Sequence, residues 1–361
     1  MAAGGAERVA ATLANAWSCQ GRRVWLISTF LGSQAGGYPL DPRVSTVLLS
    51  DLMAGERRSG WRVALCKRVV LRRVIRGIGP DVVVSFLTNV NVLSIAALAT
   101  SRLPLIVSER TDPAADVELP RALRLARALS YRWAAALVVQ TAAAARRYGA
   151  QLRHLRGIEV IHNPLPSELH ASPLRAQQEG RGGLVIAMGR LTREKGFDTL
   201  IAAFGRALAD DPSWRLQIWG DGPLRPELAQ LVEERHLQGQ VQLCGATKQP
   251  WAVLAAAQIF MLTSEYEGFP NAMLEAMALG LPCVAFDCPS GPRELADGGA
   301  AAVIVPPGDV DALVTALQNL AANPEARRTL GARAAAFVRQ KFAEHRIIDD
   351  WDRVFKRVMG R

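Results

Sequence analysis

Nowhere in the 361 residues is there the run of about 18 uninterrupted apolar positions that a membrane-spanning helix needs. Met1 is followed by small residues and Glu7 rather than by a basic stretch and an apolar core, so a secretory leader is not expected. The five cysteines, Cys19, Cys66, Cys244, Cys283 and Cys288, are odd in number, scattered and never spaced Cys-x-x-Cys. That excludes a disulfide framework and a zinc knuckle, and it fits reduced thiols in the cytosol. The five histidines, from His154 to His345, lack His-x-His or His-Glu-x-x-His spacing, so no metal site is expected.

What is present is a globular composition, 50% apolar and 21% charged, on a chain long enough for two domains at about 150 residues each. The net charge of +10 is unevenly placed: residues 1–165 carry 22 Lys and Arg against 10 Asp and Glu, whereas residues 166–361 carry 21 against 23. The basic first half points to a polyanionic partner: nucleic acid, an acidic membrane surface or a phosphorylated substrate.

Short β-rich runs alternate with helical patterns throughout, which is the sequence form of βα units around parallel sheets. The first half offers strands at 24–29, 44–49, 81–86, 105–108, 136–140 and 158–161, and the second at 184–188, 215–219, 241–244, 259–262, 283–286 and 302–305. These runs are mostly apolar rather than strictly alternating, as strands covered by helices on both faces should be. The fold class is therefore α/β, with two doubly wound Rossmann-like domains. The pattern breaks between His162 and Gly183, at Asn163-Pro164-Leu165-Pro166 and the polar stretch 177–183. This places one domain at 1–165 and a second at 166–340. A final helix over 341–361, apolar at Ile347, Ile348, Trp351, Val354 and Phe355, needs a surface to pack on. Asp309 is a plausible N-cap for a helix starting near Val310.

Three loops carry candidate chemistry. After the strand at 259–262 comes Ser264-Glu265-Tyr266-Glu267-Gly268-Phe269-Pro270-Asn271, leading into a helix that holds Glu275 about two turns in. In open α/β sheets such loops are where ligands sit; the bland alternative is that Glu267 and Glu275 only cap and solvate a helix start. After the strand at 184–188, Gly189-Arg190-Leu191-Thr192-Arg193-Glu194-Lys195-Gly196 adds two cations, Arg190 and Lys195, to the positive end of the next helix. Arg forks to two phosphate oxygens and Lys supplies a compact charge, so the pair suits a diphosphate without a metal; the alternative is an exposed basic loop. Gly220-Asp221-Gly222-Pro223 lacks the third glycine of a dinucleotide fingerprint and reads as a tight turn into a helix. Near the amino end, Gly4-Gly5 precedes a helical pattern over 9–17 and could cradle an anion through backbone amides. A further run, Arg57 to Arg76, sets eight cations among apolar residues with no acid after Glu56. As a helix with an apolar stripe and cationic flanks it suits an anionic membrane surface, against the alternative of an ordinary domain helix with solvated arginines.

In order and spacing, Gly4-Gly5-Ala6-Glu7-Arg8, Gly189-Arg190 with Lys195-Gly196-Phe197-Asp198, Gly220-Asp221-Gly222-Pro223, and Glu267 followed after seven residues by Glu275 resemble glycosyltransferase family 4. Those are retaining nucleotide-sugar enzymes of GT-B architecture, two Rossmann-like domains facing a cleft, and the resemblance covers essentially the whole chain. It implies that Arg190 and Lys195 hold the donor diphosphate and that Glu267, with the backbone of Gly268, Phe269, Pro270 and Asn271, contacts the transferred sugar. Glu275 would bind the ribose hydroxyls and Gly5 would meet the phosphates from the other domain. No cofactor or metal is implied beyond the nucleotide-sugar co-substrate, a UDP-sugar.

The tract Cys288-Pro289-Ser290-Gly291-Pro292-Arg293-Glu294 is similar to that of members transferring galactose- or N-acetylhexosamine-type sugars to lipid-linked oligosaccharides. Where many members have a histidine near the transferred sugar after the strand at 105–108, this chain has Glu109-Arg110, so the resemblance gives Arg110 either part of that role or, on the acceptor side, contact with a phosphate of the acceptor. Members begin with an apolar strand before the Gly-Gly loop; here that first strand is expected to be missing, with the true start upstream of Met1. The implied partners are a nucleotide-sugar donor, a lipid-linked or polysaccharide acceptor and an anionic membrane surface contacted peripherally. The implied place is the cytoplasmic face of the inner membrane. A nucleotide-sugar epimerase of the same fold is an alternative, but acid–base carboxylates and histidines for it cannot be located. Nucleic acid is not an expected partner, since aromatics are not interleaved with the cations and no recognition helix is evident.

Overall fold

A computed structural model describes residues 5–28, 38–53, 61–114, 119–152, 154–155, 157–171 and 183–360. Gly4, Arg57, Arg58 and most of the stretch 177–183 lie outside these residues. The chain divides into two compact units, Met1–Pro164 with Glu344–Arg361, and Leu165–Ala343.

The first unit runs α1 (Gly5–Cys19), β1 (Trp25–Ser28), β2 (Ser45–Leu48), α2 (Leu49–Leu52), α3 (Trp61–Ile78), β3 (Val83–Phe86), α4 (Thr88–Leu98), β4 (Leu105–Ser108), α5 (Arg121–Ser130), β5 (Ala136–Val139), α6 (Ala142–Gln151) and β6 (Ile158–Val160). Its strands form a parallel pair, β1-β2, and a parallel sheet of order β3-β4-β5-β6. The second unit runs α7 (Ser167–Ala171), β7 (Gly183–Met188), α8 (Phe197–Leu208), β8 (Trp214–Trp219), α9 (Arg225–Glu234), β9 (Val241–Gly245), α10 (Pro250–Ala255), β10 (Ile259–Leu262), α11 (Asn271–Ala278), β11 (Cys283–Phe286), α12 (Pro292–Leu295), β12 (Val303–Val305), α13 (Val310–Ala322) and α14 (Pro324–Lys341). These strands make one parallel sheet, β12-β11-β10-β7-β8-β9. The last helix, α15 (Glu344–Met359), belongs to the first unit.

The apolar strands are apolar because both sheet faces are buried. Successive side chains on a strand point to opposite faces. In β10, Ile259 and Met261 join the core under α8, α9 and α13, while Phe260 and Leu262 join the core under α10, α11 and α14. In the first unit Leu105 and Val107 of β4 face the core that holds Leu71 of α3 and Ile95 of α4, whereas Ile106 faces the core of α1 and α15. All twelve strands expected from the pattern are present within a residue or two of their bounds. Asp309 caps α13, accepting from the Ala312 amide at 2.9 Å.

The five apolar positions of α15 are all buried, and Trp351 meets Trp17 of α1 edge-on at 5.7 Å and Phe86 of β3 at 6.5 Å. Arg22 and Asp352 close the same contact with a 2.7 Å ion pair. The basic helix α3 uses its stripe as core: Leu71 and Ile75 are buried, and Arg72 is tied to Thr100 at 2.5 Å. Of its described large apolar residues, Leu65 and Val69 stay outside, 47% and 50% exposed. Among the described residues no helix is long and apolar enough to cross a membrane.

Candidate functional site

The order of the six-stranded sheet places β7 between β8 and β10. From β7 the chain winds outward through β8 and β9, then returns to start again at β10 on the other side. Neighbouring loops at such a reversal leave in opposite directions, which opens a crevice at the carboxyl ends of the strands. The loops after β7 and β10 are the two that carry the sequence-predicted residues.

Lys195 and Glu267 meet there: Nζ donates to Oε1 at 2.6 Å, with side chains only 21% and 11% exposed. Ser264 donates to the same carboxylate oxygen at 2.7 Å. The two loops are also stitched through main chain, Thr263 Oγ1 to the Lys195 carbonyl at 3.0 Å and the Glu265 amide to the Glu194 carbonyl at 2.9 Å. Gly196 makes this approach possible. Its φ is +59°, and a Cβ there would lie 2.4 Å from the Thr263 carbonyl oxygen. The sequence brings Gly196 directly before α8, so the helix's positive end opens at Lys195.

Arg190 is exposed on the same loop, whose backbone is held on both sides: the Gly189 amide donates to the Trp219 carbonyl at 2.9 Å and the Leu191 amide to the Asp221 carbonyl at 3.0 Å. Gly220 and Gly222, read in the sequence only as a turn, are what lets the β8 loop come this close. A Cβ on Gly220, at φ +137°, would sit 1.8 Å from the Gly189 oxygen, and one on Gly222 would sit 2.4 Å from the Leu191 oxygen. Gly220→Ala is therefore expected to lower stability by about 3 kcal/mol through strain and overpacking, whereas Gly239→Ala, which meets nothing within 4 Å, changes little. Thermal unfolding of the two variants checks this.

Phe269 and Pro270 are buried, Gly268 and Asn271 half-buried, and Phe269 packs on Phe342 at 5.5 Å between centroids. With Pro270 in front of it, α11 begins at Asn271 and presents its positive dipole end to the loop. Gly291, at φ +99°, lets the next loop pack on Pro270. Ser290 Oγ there donates to the Gly268 carbonyl at 3.4 Å.

Glu275 requires a correction. It is the fifth residue of α11 rather than two turns in, and it is 2% exposed. Its helix is buried around nearly its whole circumference, by Met273, Leu274, Ala276 and Met277, so the carboxylate is held inside, accepting from Trp251 Nε1 at 3.1 Å. Nearby, burial pushes the Cys288 thiol up to about 12, and the charge of Glu267 adds to the effect, so Cys288 stays protonated.

The remaining predicted residues lie in the first unit. Gly5 is the exposed first residue of α1. Arg110 directly follows β4, and its guanidinium lies 5.1 Å over the Phe86 ring. Its Nε and Nη2 are sealed from solvent without a hydrogen-bond partner among the described residues, and burial draws its pKa down to about 9, leaving it charged at neutral pH.

Beside Arg110 is a buried network that sequence reading passed over. Thr88 donates to Glu109 at 2.9 Å, Asn91 donates to the Ser108 carbonyl at 3.1 Å and to the Tyr131 hydroxyl at 2.9 Å, and Tyr131 donates to Glu109. Burial first, and then the Glu109 charge, hold the Tyr131 phenol well above its usual range. The one available signal was a carboxylate directly after the buried strand Leu105–Ser108.

Comparison with known proteins agrees with this geometry. Residues 175–337 match the model described as glycosyl transferases group 1, and residues 3–169 match that of Glycosyltransferase Family 4. The chain belongs to glycosyltransferase family 4. It is 29% identical over 299 residues to the amylovoran biosynthesis glycosyltransferase AmsD of Erwinia amylovora, covering 81% of this chain and 80% of that protein. It is 35% identical over 181 residues to an exopolysaccharide phosphotransferase of Streptomyces coelicolor, covering 50% of this chain but spanning only 19% of that protein's length. Among solved structures, Anabaena HepE in complex with UDP and glucose superposes with a TM-score of 0.80 at 20% identity, over 98% of this chain and 96% of that one. Both units thus have the fold of family members.

Proposed function

We propose that this family 4 chain is a retaining glycosyltransferase that moves a hexose or N-acetylhexosamine from a UDP-sugar to a lipid-linked or polysaccharide acceptor in cell-surface glycan synthesis. The observation that carries the reading is the Lys195–Glu267 pair at the crevice where the strand order reverses, with Arg190 beside it. Arg190 and Lys195 neutralise the diphosphate as it departs and the anomeric carbon gains positive charge, so fixed cations lower the barrier electrostatically. Glu267 releases Lys195 to the phosphates and orients the sugar, together with the backbone of 268–271. Glu275 takes the ribose hydroxyls. The acceptor hydroxyl attacks from the face the diphosphate leaves, which retains the anomeric configuration. Glu267 serves as an orienting group, because no second carboxylate stands opposite it for double displacement among the residues predicted for the site.

UDP as the nucleotude carrier is supported by its presence in the HepE complex. A phosphate-bearing acceptor is supported by Arg110, whose sealed donors lack a partner among the described residues. Contact with an anionic membrane at the cytoplasmic face is supported by Leu65 and Val69, exposed on α3 among Arg68, Arg73 and Arg76.

The deciding experiment is a donor screen by nucleoside-diphosphate release, with purified protein and lipid-linked acceptors. UDP-sugars are expected to be turned over, and the rate is expected to stay within about twofold in excess chelator, since two fixed cations do the work of neutralisation. Release from no nucleotide-sugar in the presence of acceptor would overturn the reading; a rate that collapses in chelator would overturn the role given to Arg190 and Lys195.

A further inference from the structure

We infer that the outer face of α5 and the turn after it is a second membrane-docking surface, one that inserts apolar side chains into an anionic bilayer. The inference rests on the membrane-acceptor part of the function proposed above and locates the contact on an element that reading did not use. Leu125, Leu129 and Trp133 are 61%, 55% and 59% exposed. They are spaced four apart, so they form one row along the helix and its continuation. The opposite face explains why they point outward. Arg127 is 3% exposed and lies 5.2 Å over the Tyr148 ring, and Tyr131 is fully buried in the Glu109 network. With those two residues locked inward, the row of Leu125, Leu129 and Trp133 has nowhere to go but out.

Three exposed arginines, Arg121, Arg124 and Arg132, flank the row, and Arg132 stacks over Trp133 at 4.4 Å. From Arg121 to Trp133 there is no acidic residue. A protein partner's surface ordinarily carries both signs, whereas a uniformly cationic rim around leucines and an indole is complementary to anionic headgroups over acyl chains. The neighbouring helices agree. α4 packs against both α3 and α5, and Leu71 of α3, Ile95 of α4 and Tyr131 after α5 share one core, so the three helices cover the same side of the sheet. The exposed Leu65 and Val69 of α3, again among arginines, therefore belong to the same helical layer.

The test is co-sedimentation of the full chain with vesicles of phosphatidylcholine alone or mixed with phosphatidylglycerol. Binding is expected to the mixed vesicles only, and to weaken as salt is raised. The variant Leu125→Gln, Leu129→Gln, Trp133→Gln is expected to bind about tenfold or more weakly, and so is Arg121→Gln, Arg124→Gln, Arg132→Gln, each with an unchanged unfolding midpoint because every residue is exposed. Wild-type binding equal on both vesicle types, or variants that bind like the wild type, would overturn the proposal. If light scattering shows a wild-type dimer that the apolar variant turns into a monomer while vesicle binding is unchanged, the face is a contact between copies and the proposal falls. Nucleoside-diphosphate release with a water-soluble acceptor and no vesicles is expected to be the same in wild type and variants. Loss of that release in the wild type would strike the transferase reading alone, leaving the vesicle result to stand by itself.

Discussion

Lys195→Ala is expected to lower nucleoside-diphosphate release by about 10²- to 10³-fold, the range seen when one fixed donor aimed at developing charge is removed. The side chain is only 21% exposed and is oriented by a 2.6 Å contact to Glu267, so the cation is held in place before a donor arrives and needs no reorganisation. Stability should change far less. The pair is partly solvated, and in the variant Glu267 keeps its hydrogen bond from Ser264, so a cost of about 1 kcal/mol is expected. Glu267→Gln tests the other half: the amide keeps the volume and an acceptor for Ser264 but loses the charge that orients Lys195. It too is expected to fall by about 10²-fold while still folding. Turnover by both variants within about threefold of wild type would sink the site assignment.

Trp351→Ala is expected to destabilise the first unit by about 3–5 kcal/mol, read as a lower midpoint of that unit's denaturant transition. Trp351 is 1% exposed and touches Trp17, Phe86 and Phe355, whose ring centroids lie 5.7, 6.5 and 5.9 Å away. Removing the indole leaves a cavity between α15, α1 and β3 that rigid neighbours can only partly fill. Trp133→Ala is the natural control. The same residue type is deleted, but from a position 59% exposed, and a change within about 0.5 kcal/mol is expected. Equal losses in the two variants would mean that α15 is not seated as described.

Much of this is legible in the sequence. Wholly apolar runs of four residues between helical patterns require burial on both faces, and that requirement alone places β5, β10 and β11. The 3.6-residue spacing of Ile347, Ile348, Trp351, Val354 and Phe355 announced a buried helix face, and the Asp309 cap followed from side-chain chemistry. The two loops that carry Lys195 and Glu267 were visible because a strand end followed by charged residues and a helix start is a local pattern. The contact of Lys195 with Glu267, 72 residues apart, was not, because nothing local specifies that β7 and β10 become neighbours.

Three features show where local reading ends. That Glu275 is buried, with Trp251 donating to its carboxylate, is invisible locally, because α11 is enclosed by α10 and α14, and enclosure is a property of neighbours. Gly220 and Gly222 looked like a turn, yet they are small because the Gly189–Leu191 backbone passes within van der Waals reach. Leu125, Leu129 and Trp133 have the same spacing as any core stripe and would be read as one. Only the inward locking of Arg127 and Tyr131 turns that stripe to the outside.

The sequence by itself thus determined the class of fold, the strands, the helix faces and the loops that carry charge, because each depends on periodicity and on chemistry within a few residues. The tertiary structure alone decided which loops meet, which carboxylate is buried and which apolar row is left to solvent. Those outcomes depend on strand order and packing between segments far apart in the chain, where each element's environment is set by the others.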